Sequence, residues 1–205
     1  MDKKRGTLLV VSGPAGSGKG TVLGILLQNA EKYVYSVSAT TRSPRPGEID
    51  GKHYFFMERE RFLSLVASES FLEHAEYVGN CYGTLRSFVE EKLDEGKNVI
   101  LEIEVQGALQ IREKMPEAML VFLCPPDYAT LEKRLRGRGT ETDEVIKKRL
   151  ATALGEIQIA AGYDYLVVNE DGKSAECAAE IDEIVKNRPQ KNKENILNFI
   201  KNFTE

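Results

Sequence analysis

The run Thr7-Leu8-Leu9-Val10-Val11, followed by Ser12 and then Gly13-Pro14-Ala15-Gly16-Ser17-Gly18-Lys19-Gly20-Thr21, decides how the chain is read. Five residues dominated by leucine and valine, with no polar alternation, suit a buried strand of a parallel sheet. The glycines after it let the backbone wrap with its N–H groups pointing inward, a cradle for a chain of phosphates. From Lys19 the spacing turns helical, with Val22, Leu23, Leu26 and Leu27 on one side, so a helix N-terminus adds its partial positive charge to the same anion site. Lys19 supplies a mobile cation for the outer phosphates. The stretch departs from G-x-x-x-x-G-K-[ST] at its last position only, where Gly20 replaces the hydroxyl residue that meets magnesium and Thr21 comes one residue late. Phosphate binding survives that exchange, whereas direct metal ligation loses its usual group.

At 205 residues the chain suits one domain with room for inserted subdomains and a substantial core. Its 41% hydrophobic and 29% charged residues are those of an ordinary globular protein. A net charge of -4 argues against a general nucleic-acid surface, so a local basic cluster reads as a small-anion site. Cys81, Cys124 and Cys177 are odd in number and widely spaced, which suggests buried free thiols in a reducing compartment and neither a zinc site nor a disulfide framework. His53 and His74 have no partner at metal-ligand spacing. The basic start, Met1 to Gly6, precedes too short an apolar run for a signal peptide, and no stretch reaches membrane-spanning length, so the expectation is a cytoplasmic chain with no membrane partner.

After the first helix, Tyr33 to Ser38 reads as a second strand. The segment Thr40-Thr41-Arg42-Ser43-Pro44-Arg45-Pro46-Gly47 then breaks regular structure and leaves two arginines on a constrained loop, where guanidinium forks can await a phosphate. Residues 50 to 84 suggest a β-rich insertion: a strand at Tyr54 to Met57, a helix at Arg59 to Ala67, an extended run at Phe71 to Val78, and turns at Asp50-Gly51 and Gly79-Asn80. Alternation resumes with a helix at Ser87 to Glu95 capped by Gly96, and a strand from Asn98 to Glu102 that ends near two carboxylates, Glu102 and Glu104, where open α/β sheets bind ligands. A helix follows at Val105 to Lys114, then a strand at Met119 to Leu123, then Asp127 as the N-cap of a helix ending in Arg134-Leu135-Arg136-Gly137-Arg138-Gly139. A second helix starting at Thr142 or Asp143 carries Arg149. Two helices joined by an arginine-bearing connection describe a lid that closes on phosphates. The last strand is Tyr165 to Asn169 and the last packed helix Ala175 to Lys186, while Pro189 to Glu205 keeps a helical apolar period and docks on the domain or on another subunit, which leaves a homo-oligomer open.

Taken together, S-G-P-A-G-S-G-K-G-T from Ser12, S-V-S-A-T-T-R-S-P-R-P-G-E from Ser36, D-G-K-H-Y-F-F from Asp50, F-L-E-H-A from Phe71, G-N-C-Y-G-T from Gly79 and R-G-R-G-T-E from Arg136 resemble guanylate kinase, over about Thr7 to Arg188. The resemblance implies a P-loop α/β fold, a parallel sheet flanked by helices with a core at 1-36, 91-125 and 160-188. It adds a GMP-binding subdomain at 37-90, a helical lid at 126-159 and a C-terminal extension at 189-205. It implies phosphorylation of GMP, and of dGMP, from ATP in purine nucleotide metabolism and GMP recycling. Carried over by position, Arg42, Arg45, Tyr54 and Tyr82 would hold the GMP phosphate, and Ser38, Glu73 and Thr84 would read guanine with Glu104 nearby. Gly13, Pro14, Ala15, Gly16, Ser17, Gly18, Lys19, Gly20 and Thr21 would hold ATP phosphates, with Asn169 near the adenine. Arg134, Arg138 and Arg149 would stabilise the transferring group together with Lys19 and Arg42.

The chain departs from the family at Gly20, where many members carry Ser, at Glu104, where Asp is usual, and at His74, which replaces a common Trp. Mg²⁺ is therefore expected to bridge the ATP phosphates and to be held mostly through water, near Thr21 and Glu102. The residue chemistry agrees: arginine forks, a lysine and mobile elements, with no obvious nucleophile, suit direct in-line phosphoryl transfer. The competing readings are a kinase for another monophosphate such as AMP, against which Glu73 speaks, and a binding module that has lost catalysis. The presence of Lys19, Arg134, Arg138 and Arg149 speaks against the second.

Overall fold

The structure is a computed structural model that describes residues 4–203 apart from Arg138, Thr140 and Asn192. In chain order its elements are β1 (Leu8–Ser12), α1 (Lys19–Leu26), β2 (Tyr33–Tyr35), β3 (Ala39–Thr40), β4 (Phe55–Phe56), α2 (Arg59–Ala67), β5 (Phe71–Tyr77), β6 (Asn80–Leu85), α3 (Arg86–Asp94), β7 (Asn98–Glu102), α4 (Val105–Lys114), β8 (Met119–Cys124), α5 (Tyr128–Arg136), α6 (Asp143–Ile159), β9 (Tyr165–Val168), α7 (Ser174–Asn187) and α8 (Lys193–Asn202). The fold is mixed α/β with parallel strands and flanking helices. It divides into two compact units. One comprises the residues up to Leu8 with Ala30–Leu101 and Gln106–Ala118; the other comprises Leu9–Asn29, Glu102–Val105 and the residues from Met119 on.

In the second unit β1, β8 and β9 pair in parallel in the order β1-β8-β9, with Val10 opposite Leu120 and Leu123 opposite Val167. All five residues of β1 and all six of β8 are buried, as a strand covered on both faces requires. Helices α1 and α7 pack on each other, and α7 and α8 pack on β9. Asp127 caps α5 as expected, its carboxylate accepting from Thr130 N at 2.6 Å. The C-terminal segment docks on its own unit: Ile196, Ile200 and Phe203 are buried, and Phe203 O accepts from Tyr128 N at 3.1 Å.

In the first unit β2 and β7 pair in parallel, Val34 opposite Val99. Strand β2 ends at Tyr35, three residues short of the expected Ser38. Ser36 N still donates to Ile100 O, but Ser38 O accepts from Phe55 N, and Ala39–Thr40 join a second sheet of order β4-β3-β6-β5. Helix α3 closes as anticipated at Gly96, whose N–H reaches Leu93 O while Lys97 N reaches Lys92 O, satisfying two terminal carbonyls.

The second sheet is two-faced. Ala39, Phe71 and Cys81 pack with Phe62 of α2 and with Phe55, Met57 and Leu85 on one side, whereas Thr40, opposite both Phe56 and Tyr82, lies on the other. A β-bulge at Phe71–Glu73 shifts the phase of β5, so Phe71 pairs with Leu85 on the apolar face and Glu73 with Thr84 on the polar one. Cys81, Cys124 and Cys177 are all buried and unpaired. No helix among the described residues is long and apolar enough to cross a membrane.

Replacing the α5 cap by Asp127→Ala should lower the unfolding free energy by about 1 kcal/mol, since one N-terminal N–H loses its acceptor. Urea denaturation should show a reduced midpoint at unchanged slope.

Candidate active site

The glycine-rich loop begins where β1 runs out. A Cβ on Gly13, whose φ is 153°, would fall 2.0 Å from Leu123 O of β8, so no other residue brings the two strand ends this close. Ser17 N donates to Pro14 O at 3.1 Å, and the chain enters α1 through Gly18 at φ 89°, a left-handed turn that aims the first helical N–H groups back over the loop. A Cβ on Gly18 would meet Asn169 Nδ2 at 2.3 Å. That amide donates to Ser17 O at 2.8 Å, so the buried Asn169 buttresses the loop from beneath. Lys19 Nζ lies on the loop's own carbonyls, 2.5 Å from Gly13 O and 3.3 Å from Pro14 O. Ser17 Oγ is buried with no hydrogen-bond partner among the described residues. An added Cβ on Gly20 meets nothing within 4 Å.

Arg134 comes to this loop from α5. It donates to Asp171 (Nε 3.0 Å, Nη2 2.8 Å), to Asn169 O at 2.7 Å and to Gly16 O at 3.4 Å, tying the loop to the end of β9. Arg149 of α6 pairs with Glu141. Arg138 lies outside the described residues. Glu104 makes a side-chain hydrogen bond with Glu156 of α6, a residue the sequence reading missed, although it stands two helical turns from Arg149. Burial first, and then the Glu104 carboxylate beside it, raise the Glu156 pKa to about 7, while the charge of Lys19 acts the other way. Glu102 ends β7, and Ser12 Oγ donates to Ile103 O at 2.7 Å, which pins the following residues to the end of β1. Among the described residues no group of three or more His, Cys, Asp or Glu side chains could hold a metal by itself.

The first unit carries the other predicted residues on the polar face of the second sheet. Thr84 Oγ1 donates to Glu73 Oε1 at 2.6 Å, and both residues are buried. Burial raises the Glu73 pKa, against the hydrogen bond from Thr84 and the charge of Lys114. Arg42 lies over the rings of Tyr54 and Phe56, 5.4 and 5.8 Å from their centroids, and Tyr54 meets the Tyr82 ring edge-on at 6.1 Å. The Tyr82 hydroxyl bonds the same guanidinium. Ser38 immediately precedes β3, and its carbonyl accepts from Phe55 N at 2.9 Å. These are the groups the sheet brings together.

Glu48, quoted in the sequence motif without a role, holds both arginines of the loop. It accepts from Arg42 Nη1 at 3.0 Å and Nη2 at 2.8 Å and from Arg45 N at 2.6 Å, and these bonds lower its pKa to about 2. Arg42 Nη1 also donates to Ser43 O at 2.7 Å, so the edge formed by Nε and the second Nη2 proton stays outside the Glu48 pair. Gln110 and Lys114 of α4 bond the backbone on either side of Glu73 and were likewise not singled out. A cavity of about 530 Å³ in this unit is lined by Phe55, Met57, Leu65, Leu85 and their neighbours and contains none of the predicted residues. The polar face with Arg42 and Glu73 is the better candidate, because it gathers chemistry that the apolar cavity lacks.

Three comparisons bear on these arrangements. The family profile for guanylate kinase matches residues 5–197. A guanylate kinase of Halalkalibacterium halodurans is 54% identical over 171 residues, 83% of this chain and 84% of that one. One of Lactococcus lactis is 52% identical over 178 residues, 87% and 85% of the two chains. Among solved structures, a guanylate kinase from Anaplasma phagocytophilum superposes with a TM-score of 0.67 at 34% identity, covering 95% of each chain.

The raised pKa of Glu156 has a thermodynamic signature. Between the ordinary carboxylate value of 4.5 and about 7 the folded chain keeps a proton that the unfolded chain releases, so this group makes stability fall as pH rises through that window. Glu156→Gln should remove the slope: the melting temperature of the variant relative to wild type should rise between pH 5 and pH 8, and a constant difference would contradict the assignment.

Proposed function

The chain belongs to the guanylate kinase family and phosphorylates GMP from ATP; we propose that the unit carrying Glu73 takes the GMP and the unit carrying Lys19 takes the ATP. The observation that supports this division most is the buried Glu73–Thr84 pair on the same sheet face as the Arg42 cluster. Guanine offers two adjacent donors, N1–H and the exocyclic N2–H, and an ionised carboxylate accepts both at once. Thr84 spends its hydroxyl proton on one oxygen of Glu73 and so leaves the carboxylate as a pure acceptor toward the base. Ser38 flanks the base, and Glu104 is assigned to it by family resemblance. The phosphate goes to Arg42, Arg45, Tyr54 and Tyr82. dGMP presents the same base and phosphate and is included.

Toward ATP, the N–H groups of Gly16, Gly18, Lys19 and Gly20, at the loop and the start of α1, surround the phosphates. Lys19 exchanges its loop carbonyls for phosphate oxygens. Asn169 and Arg134 fix the loop's shape, while Arg149 and Arg138 supply positive charge to the transferring group along with the edge of Arg134 turned toward Gly16. The GMP phosphate attacks directly: one of its oxygens forms a bond to the γ-phosphorus as the bond to the bridging oxygen breaks and ADP leaves. That oxygen is ionised at neutral pH, so no general base is required and the protein's part is orientation, charge neutralisation and water exclusion. Among the described residues no group of three or more His, Cys, Asp or Glu side chains could hold a metal alone, so Thr21 and Glu102 would suit a Mg²⁺ held chiefly by substrate phosphates and water, which when bound would neutralise charge at the β- and γ-phosphates. Three buried thiols suit the cytoplasm.

A nucleoside-monophosphate panel tests the base assignment. Wild-type protein should prefer GMP to AMP in kcat/KM by about 10⁴ or more, because adenine sets a lone pair against the carboxylate and leaves it unpaired. Glu73→Gln should shrink that ratio mainly by losing GMP activity. Since burial already disfavours the charged form, the same change should not lower the melting temperature at pH 7, which separates loss of recognition from loss of fold. A full wild-type ratio in Glu73→Gln would show that Glu73 does not read the base.

Gly20→Ser probes metal use. The open space around Gly20 accepts the side chain, so KM for GMP should stay constant and the Mg²⁺ concentration for half-maximal rate should fall or hold. A strong increase in that concentration would mean the loop needs the bare backbone at this position.

A further inference from the structure

Strand β5 is the edge of its sheet, so the backbone groups on its outer side have no neighbouring strand. Around Glu73 helix α4 takes them over. Gln110 Nε2 donates to His74 O and Gln110 Oε1 accepts from His74 N, each at 3.1 Å, a two-point clip that imitates a strand partner. One helical turn on, Lys114 Nζ donates to Phe71 O at 2.9 Å. The two side chains thus grip the strand at residues 71 and 74, immediately around the bulge that turns Glu73 to the polar face. A bulge leaves its ladder locally unpaired, and an unpaired edge slides and twists, so a carboxylate mounted on it is only as well placed as the bonds that hold the segment.

We propose that Gln110 and Lys114 are positioning residues for base recognition, holding the bulged segment of β5 so that Glu73 meets both donors on the guanine edge. The proposal rests on the reading of Glu73 as the base-reading carboxylate. Neither side chain touches the nucleotide; each acts through the backbone of its neighbour. Lys114 acts in a second way as well. Among the described residues the groups that bear on the Glu73 charge are Thr84 on β6 and Lys114 on α4, and both favour the ionised form that guanine requires.

Inosine monophosphate, which is GMP without the 2-amino group, is the probe, because a slightly displaced Glu73 loses the second donor first. In Gln110→Ala and Lys114→Met the GMP-to-IMP ratio of kcat/KM should fall by about tenfold, through a raised KM for GMP, with KM for ATP unchanged. Lys114→Arg, which can still donate to Phe71 O, should restore the wild-type ratio. Lys114→Met should also move the acid limb of the GMP profile to higher pH, since the carboxylate loses a neighbouring cation. In a Glu73→Gln background, Gln110→Ala should change the ratio by less than about twofold, as expected of residues that act as one unit. Ratios unchanged in both single variants, or GMP and IMP activities lost in equal proportion, overturn the proposal and reduce the helix to scaffolding. Retention of the wild-type ratio by Glu73→Gln alone would instead overturn the reading beneath it, so the two failures are told apart.

Discussion

The glycine-rich loop after β1 depends on a missing atom. Because Gly13 has no Cβ, the end of β1 lies against Leu123 O of β8, where a methyl group would sit 2.0 Å away. The chain then turns, and Arg134 and Asn169 hold the turn by the carbonyls of Gly16 and Ser17. Loop shape is therefore set by strand packing beneath it and by side-chain donors around it, so little of its ordering is left to be done when an anion arrives.

Four of the candidate cations share a second property: each already has an acceptor. Lys19 rests on Gly13 O, Arg134 on Asp171 and two carbonyls, Arg42 on Glu48, and Arg149 on Glu141. Each internal acceptor compensates its own cation locally and fixes its rotamer. In the phosphate-binding role proposed for these residues the net gain would be correspondingly smaller than the formal charges suggest, since each new charge-assisted bond would either replace an old one or use an edge left over from it. Affinity is moderated and geometry is sharpened, which suits a site that must release its product.

How far the sequence could be read follows from the range of the interactions involved. The P-loop, α2, β7 and α4 are legible because apolar period, glycine spacing and caps are local signals, and α2, β7 and α4 match their expected bounds. The sequence extends β2 past its end because nothing local marks the point where Ser36 still bonds Ile100 and Ser38 already serves another sheet. The β5 bulge left no trace, since only pairing with β6 reveals that Phe71 and Glu73 face opposite ways. Among the candidate site residues, those with a motif around them are legible in the sequence. Gln110, Lys114 and Glu156 are not, because each is defined by a partner 36, 43 or more than 50 positions away, and Glu48, though close to Arg42, looks on the page like any loop carboxylate.

The buried thiols carry one more implication. Cys81 sits in the apolar face of the second sheet, Cys124 ends β8, and Cys177 donates from α7 to Val168 O at 3.2 Å. Burial pushes the Cys124 and Cys177 thiols up, away from the thiolate that oxidants and electrophiles attack. In the folded molecule the three buried sulfurs are shielded from peroxide and alkylating agents. Modification of any of the three sulfurs becomes a record of a molecule that has opened, so the same residues that pack the core also keep a tally of its lapses.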